Sequence, residues 1–163
     1  MNDHEQVEAL LGRVPQGAYE VVVRSADGTP RVLRNAPISD DGTPMPTRYW
    51  LLGSDDVLRV SRLESAGGVC QAEAAVDPQE LADAHLRYEA ERDAAINHLY
   101  GGLYSGHRPF GGVGGTRRGV KCLHAHYAWY LAGGDDPVGR WVAEQLDADT
   151  LDKETDLSAK VYD

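Results

Sequence analysis

The chain predicts an α+β fold, a single domain with a small, mainly antiparallel sheet and helices packed on one face. Three observations carry that expectation. Two β-branched, alternating runs, Tyr19-Glu20-Val21-Val22-Val23-Arg24 and Arg31-Val32-Leu33-Arg34, flank Asp27-Gly28, which is the pattern of a β-hairpin. Asp77-Pro78 and Asp136-Pro137 each set a capping residue before a proline at the first helical position, with apolar residues following at helical spacing. The length of 163 residues, with 42% hydrophobic and 26% charged residues, suits one core built without disulfides or structural metal.

Taken in order, Asn2 or Asp3 caps a first helix through Val7, Leu10 and Leu11, which Gly12 and Pro15 to Gly17 end. The hairpin follows, and residues 35–47, with Pro37, Pro44, Pro46 and Asp40-Asp41-Gly42, have loop chemistry. Tyr49-Trp50-Leu51-Leu52 is an apolar run expected to be a strand buried on both faces. Ser54 has the place of an N-cap for a helix carrying Val57, Leu58, Val60 and Leu63, closed by Gly67-Gly68. Val69 to Val76 is expected as a fourth strand. A long helix from Pro78 to about residue 100 presents Leu81, Tyr88, Ala95 and Leu99. Residues 101–115 hold seven glycines and read as loop. Thr116 is placed to cap a helix through Val120, Leu123, Tyr127 and Leu131 that stops at Gly133-Gly134, and Asp136-Pro137 opens a last helix with Val138, Trp141, Val142 and Leu146. The globular domain is thus expected over 1–147, with 148–163 an exposed acidic tail.

The charge balance is 16 Lys+Arg against 26 Asp+Glu, a formal net −10. An acidic chain lacks the cationic footprint of a general nucleic-acid binder, so nucleic acid ranks last among partners. No stretch reaches the length of a membrane span and the start has no basic-then-apolar segment, so no membrane partner is expected and the cytoplasm is the expected location.

Between Asp93 and Asp135 there is no acidic residue, while Arg108, Arg117, Arg118 and Lys121 give the segment a charge of +4. The same stretch holds His98, His107, His124 and His126, ten of the 18 glycines and six of the 12 aromatic residues. Within it, Phe110-Gly111-Gly112-Val113-Gly114-Gly115-Thr116-Arg117-Arg118 runs into the expected helix start. Backbone N–H groups there, with Gly114, Gly115 and Thr116 allowing close approach and Arg117, Arg118 and Lys121 as clamps, suit a small phosphate-bearing or carboxylate ligand. The pattern is neither a P-loop nor a dinucleotide fingerprint. A bland alternative pairs these cations with acids of the preceding helix.

Cys122-Leu123-His124-Ala125-His126 puts three metal-capable side chains within five residues. On a helix, Cys122 and His126 share a face and His124 is turned about 160° away. Cys122, close to a helix N-terminus and beside Arg118 and Lys121, is then a candidate nucleophile with His126 as its base. Alternatively Cys122, His124 and His126 with Cys70 bind zinc or iron, an arrangement that requires Cys70 to approach Cys122. The plain reading makes Cys122 a small core residue and His126 a hydrogen-bonded one.

The blocks Pro46-Thr47-Arg48-Tyr49-Trp50-Leu51, Arg62-Leu63-Glu64-Ser65-Ala66-Gly67-Gly68 and Gly114 through Tyr127 resemble those of an uncharacterised bacterial family, the domain of unknown function numbered five hundred and one, over roughly residues 5–147. The resemblance implies a small, mainly actinobacterial protein encoded near a septum formation initiator and an exopolyphosphatase, and it brings no established activity. Arg48, in the first block, is a candidate third cation of the anion site, or else a surface arginine stacked on Trp50. Glu64, in the second, is a candidate carboxylate for orienting a cation or a histidine.

The leading expectation is therefore a protein that binds or hydrolyses a small anion through the loop 111–118 and the helix after it, by phosphoryl or acyl chemistry if it is an enzyme. A non-catalytic domain that docks an acidic partner or a second copy of itself is the alternative, because six aromatics beside four cations also have an interface composition.

Overall fold

A computed structural model describes the backbone of residues 1–160 and the side chains of residues 1–154. Among the described residues, six helices and three strands follow one another as α1 (Asp3–Leu11), β1 (Tyr19–Arg24), β2 (Pro30–Asn35), β3 (Tyr49–Leu51), α2 (Ser54–Ser65), α3 (Gly68–Ala75), α4 (Pro78–Tyr100), α5 (Leu123–Leu131) and α6 (Pro137–Lys160). A single 3₁₀ turn, Val113–Gly115, interrupts the loop between α4 and α5. Among the described residues, no helix is long and apolar enough to cross a membrane.

The strands form an antiparallel sheet in the order β1-β2-β3, so the α+β expectation holds. The hairpin turns at Gly28, whose φ of 87° needs a residue without a Cβ, and Asp27 braces it by accepting from the Thr29 N–H at 3.0 Å. Side chains alternate across β2. Val32 points with Tyr49 and Leu51 into the main core against the helices from α2 onward, while Leu33 and Leu52 meet Val7, Leu10 and Leu11 of α1 on the opposite face. Most helices thus share one face, and α1 alone covers the other.

The helix boundaries follow their caps. Asn2 and Glu5 form a reciprocal capping box on α1, and Gly12 ends it in the left-handed region. Asp77 accepts from the Glu80 N–H at 2.9 Å ahead of Pro78. Asp136 Oδ1 accepts from the Val138 N–H at 3.0 Å to start α6.

Four expectations are corrected. Residues 69–75 lie in the helix α3 and are not a strand, with Val76 as its extended C-cap, since the alanine-rich run favours a helix and packs Ala72 into the core. Trp50 is 40% exposed, so β3 is not buried on both faces; the guanidinium of Arg13 lies 5.9 Å from its ring centroid, where Arg48 had been a candidate. Leu99 is exposed, and the buried face of α4 is Leu81, Ala84, His85, Tyr88, Arg92 and Ile96. Past residue 147 the backbone continues as α6 to Lys160, with residues 147–154 exposed along it. Residues 161–163 of the expected tail lie outside the described residues.

Candidate functional site

The glycine-rich segment does not run into a helix. Thr116 closes a short turn of its own, its hydroxyl donating to the Arg118 carbonyl at 2.9 Å, and α5 begins only at Leu123. The reason is Gly119, which sits within the expected helix with φ 64°, outside the helical region. The loop is instead clamped to α4. His85 Nδ1 accepts from the Val113 N–H at 3.1 Å, and its Nε2 lies 2.9 Å from the Gly119 carbonyl, which assigns the ring proton to Nε2. The fully buried Arg92 donates to the carbonyls of Gly111 at 2.6 Å and Pro46 at 3.1 Å. A Cβ on Gly112 would lie 2.5 Å from that of His85. The glycines therefore let the loop backbone approach α4, with His85 and Arg92 as its partners.

Nor do the expected clamps converge. Arg117 lies over Phe110, 4.0 Å from its ring centroid, and reaches Glu89 at 3.3 Å. With Arg118 it lines a cavity of about 360 Å³ beside Glu73 and Pro78. Arg48 borders a different cavity of about 490 Å³, where its Nε contacts Glu91 at 3.2 Å and its Nη1 donates to the Asn35 carbonyl at 3.1 Å. Lys121 and Gly114 border a third. The bland pairing of Arg117 with an acid of the preceding helix is thus what the geometry shows.

His126 is not poised on Cys122. It is wholly buried in α5, its Nδ1 2.7 Å from Asp136 Oδ2, so the pair ties α5 to the cap of α6. Its ring meets that of His85 edge to face at 5.7 Å.

Cys122 pairs with His124 instead. Because Cys122 is the N-cap of α5, with an extended backbone at φ −153° and ψ 125°, helical spacing does not apply to it, and its Sγ lies 3.7 Å from His124 Nδ1. Glu64, on the last turn of α2, completes the group: its Oε1 lies 3.1 Å from the same Nδ1 and accepts the Leu123 N–H at 2.8 Å. Ser61, one turn earlier on α2, contacts His124 Nε2 at 3.1 Å. The hydrogen bond that a protonated His124 gives to Cys122 and the charge of Glu64 hold His124 above the usual imidazole value, against the opposing effect of its burial.

Cys122 and His124 of this group border a cavity of about 500 Å³ along β3, an edge strand, while Ser61 and Glu64 lie outside its lining. Leu10, Leu11, Trp50, Leu52 and Val57 supply apolar wall, and Lys121, Cys122 and His124 supply the polar end at the N-terminus of α5. One apolar wall with a few convergent polar groups is the usual make-up of a small-molecule site.

Among the described residues, the group of metal-capable side chains that comes together is Glu64, Cys122 and His124. Neither Cys70, which is exposed on α3, nor His126 belongs to it. Sequence reasoning noticed Glu64 as an orienting carboxylate but missed Ser61; the i, i+3 spacing of Ser61 and Glu64 on one helix was its only signal.

No curated protein and no solved structure matches the chain. Residues 21–144 match the family model described as protein of unknown function (DUF501), a span that takes in both the cavity's polar end and Glu64. The chain belongs to the DUF501 family.

Proposed function

We propose that the protein binds a small amphipathic anion, a phosphate or carboxylate on a short apolar body, in the cavity between α1, β3 and the N-terminus of α5. One observation carries this reading: the cavity of about 500 Å³ joins an apolar wall to a polar end built from Lys121, Cys122, His124 and the first turn of α5. Glu64 takes the Leu123 N–H, but the N–H groups after it in the first turn have no intrahelical partners, and Lys121 adds a cation to the cavity lining. The anion reading of the sequence is thereby moved from the glycine loop to the helix that follows it. Cytoplasmic residence suits such a ligand.

Calorimetric titration with hexyl phosphate, hexanol and inorganic phosphate tests it. Hexyl phosphate should bind more tightly than either fragment, and Lys121→Ala should weaken it about tenfold. The pair Arg117→Ala with Arg118→Ala should leave binding unchanged. Absence of hexyl phosphate binding, or equal loss in the double-arginine variant, overturns the assignment.

A second reading has its own observation. Leu99, Tyr100 and Leu103, at and beyond the end of α4, are 56%, 42% and 88% exposed, an apolar patch suited to a second copy of the chain. It predicts a dimer by sedimentation that Leu99→Asp with Leu103→Asp dissociates.

A further inference from the structure

We propose that Glu64, Cys122 and His124 form a zinc site whose fourth coordination position opens into the cavity beside β3. A single imidazole proton on His124 has two neighbours. Cys122 Sγ and Glu64 Oε1 lie 3.7 Å and 3.1 Å from the same atom, His124 Nδ1, and a ring nitrogen carries one proton at most. That proton makes a full hydrogen bond to one of the two neighbours, and since Glu64 Oε1 already accepts the Leu123 N–H, Cys122 is the one left weakly served. A cation among the three atoms serves all of them at once.

The dimensions fit such an ion. Zinc bonds of about 2.3 Å to sulfur and about 2.0 to 2.2 Å to nitrogen and oxygen, at tetrahedral angles, separate the ligand atoms by about 3.5 Å for the sulfur and nitrogen and about 3.4 Å for the nitrogen and oxygen. The observed separations are 3.7 Å and 3.1 Å, with all three atoms within 4.8 Å of one another. The donor set of one thiolate, one imidazole and one carboxylate selects a borderline metal such as zinc over magnesium or calcium, which take oxygen.

The surroundings supply what a metal ligand needs behind it. Ser61 Oγ stands 3.1 Å from His124 Nε2, leaving Nδ1 for the metal and fixing the ring. The Leu123 N–H, donating to Glu64 Oε1 at 2.8 Å, holds the carboxylate in place. The ligands come from α2 and from the first turn of α5, so the ion would join two helices already packed together. His124 and Glu64 keep 25% and 28% of their side chains exposed, and Cys122 and His124 line the cavity, so the position left by three protein ligands is open to water or to a ligand's anionic group. That last role rests on the ligand reading above; the zinc site itself does not.

The test is metal content of the tag-free full chain, by elemental mass spectrometry after loading with zinc and dialysis, with cobalt substitution as a spectroscopic check. The expected result is about one zinc per chain, and for the cobalt form a thiolate-to-metal absorption band. Cys122→Ser, His124→Ala and Glu64→Gln should each weaken zinc binding, Cys70→Ser should not, and Ser61→Ala should weaken it about tenfold by freeing the imidazole. Cys122→Ser changes one atom, and circular dichroism shows whether each variant is folded. No retained zinc in the wild type, a cobalt spectrum without the thiolate band, or equal zinc in wild type and folded Cys122→Ser overturns the site. Zinc bound without hexyl phosphate affinity leaves the metal site standing and removes the ligand reading, and the converse result removes only the metal.

Discussion

At the residue scale, the buried face of α4 carries two groups that ordinary patterning assigns to solvent, His85 and Arg92. Both spend their polarity on backbone, His85 on Val113 and Gly119 of the glycine loop, and Arg92 on the carbonyls of Gly111 in that loop and of Pro46 in the loop before β3. Burial lowers the pKa of His85 below the usual 6.5, and neighbouring His126 acts in the same direction while the Gly119 carbonyl and Asp136 oppose it. A lowered folded-state value means the unfolded chain binds the proton more readily, so the stability that neutral His85 contributes is present above about pH 6.5 and is lost as the pH falls through the folded value. Protonation of Nδ1 would also abolish its acceptance of the Val113 N–H. Urea unfolding at about pH 7.5 and about pH 5 should show the wild type losing stability more steeply than His85→Gln. Parallel losses in the two proteins would contradict the role given to His85.

The element scale explains why the site moved. The position of a helix start decides which side chains meet: had α5 begun at Thr116, Cys122 would have faced His126, whereas starting at Leu123 makes Cys122 a cap and turns it to His124. What fixes that start is the loop before it, which Gly119 turns out of the helical region and which is pinned on α4 through Gly111 and Gly112. Gly111 has φ 78°, and a Cβ on Gly112 would strike His85. Gly112→Ala should therefore cost about 2 kcal/mol in urea unfolding, because overpacking at that contact displaces the loop or α4. A cost within a few tenths would show that the contact yields freely. Three caps, by contrast, were legible from residue types alone, since Asn2, Asp77 and Asp136 each accept the backbone N–H expected of them; the two other expected caps fail, because Ser54 is already the first residue of α2 behind the N-cap Gly53 and Thr116 lies before the turn broken at Gly119.

Across the whole molecule, β2 joins the two apolar clusters, since adjacent Val32 and Leu33 face the main core and the α1 side respectively. Loss of β2 therefore removes a wall from both clusters at once. Denaturation should accordingly be a single cooperative transition, with the fluorescence of exposed Trp50 and of buried Trp129, isolated by Trp→Phe changes at the other tryptophans, giving one coincident midpoint. Separate midpoints would mean that α1 detaches first.

The sequence by itself determined the fold class, the hairpin, the caps of α1, α4 and α6 and the residue types of the site, because these rest on local chemistry: backbone preference, capping and spacing. It also marked Glu64, Cys122 and His124 as candidates. Only the tertiary structure decided which of them meet. Arg48, Arg117 and Lys121 are directed to different cavities, His126 is taken by Asp136, and Glu64 arrives beside His124 from a helix about 60 residues earlier in the chain. That last contact depends on how α2 packs against α5, and packing of elements distant in sequence leaves no trace in the spacing of either one.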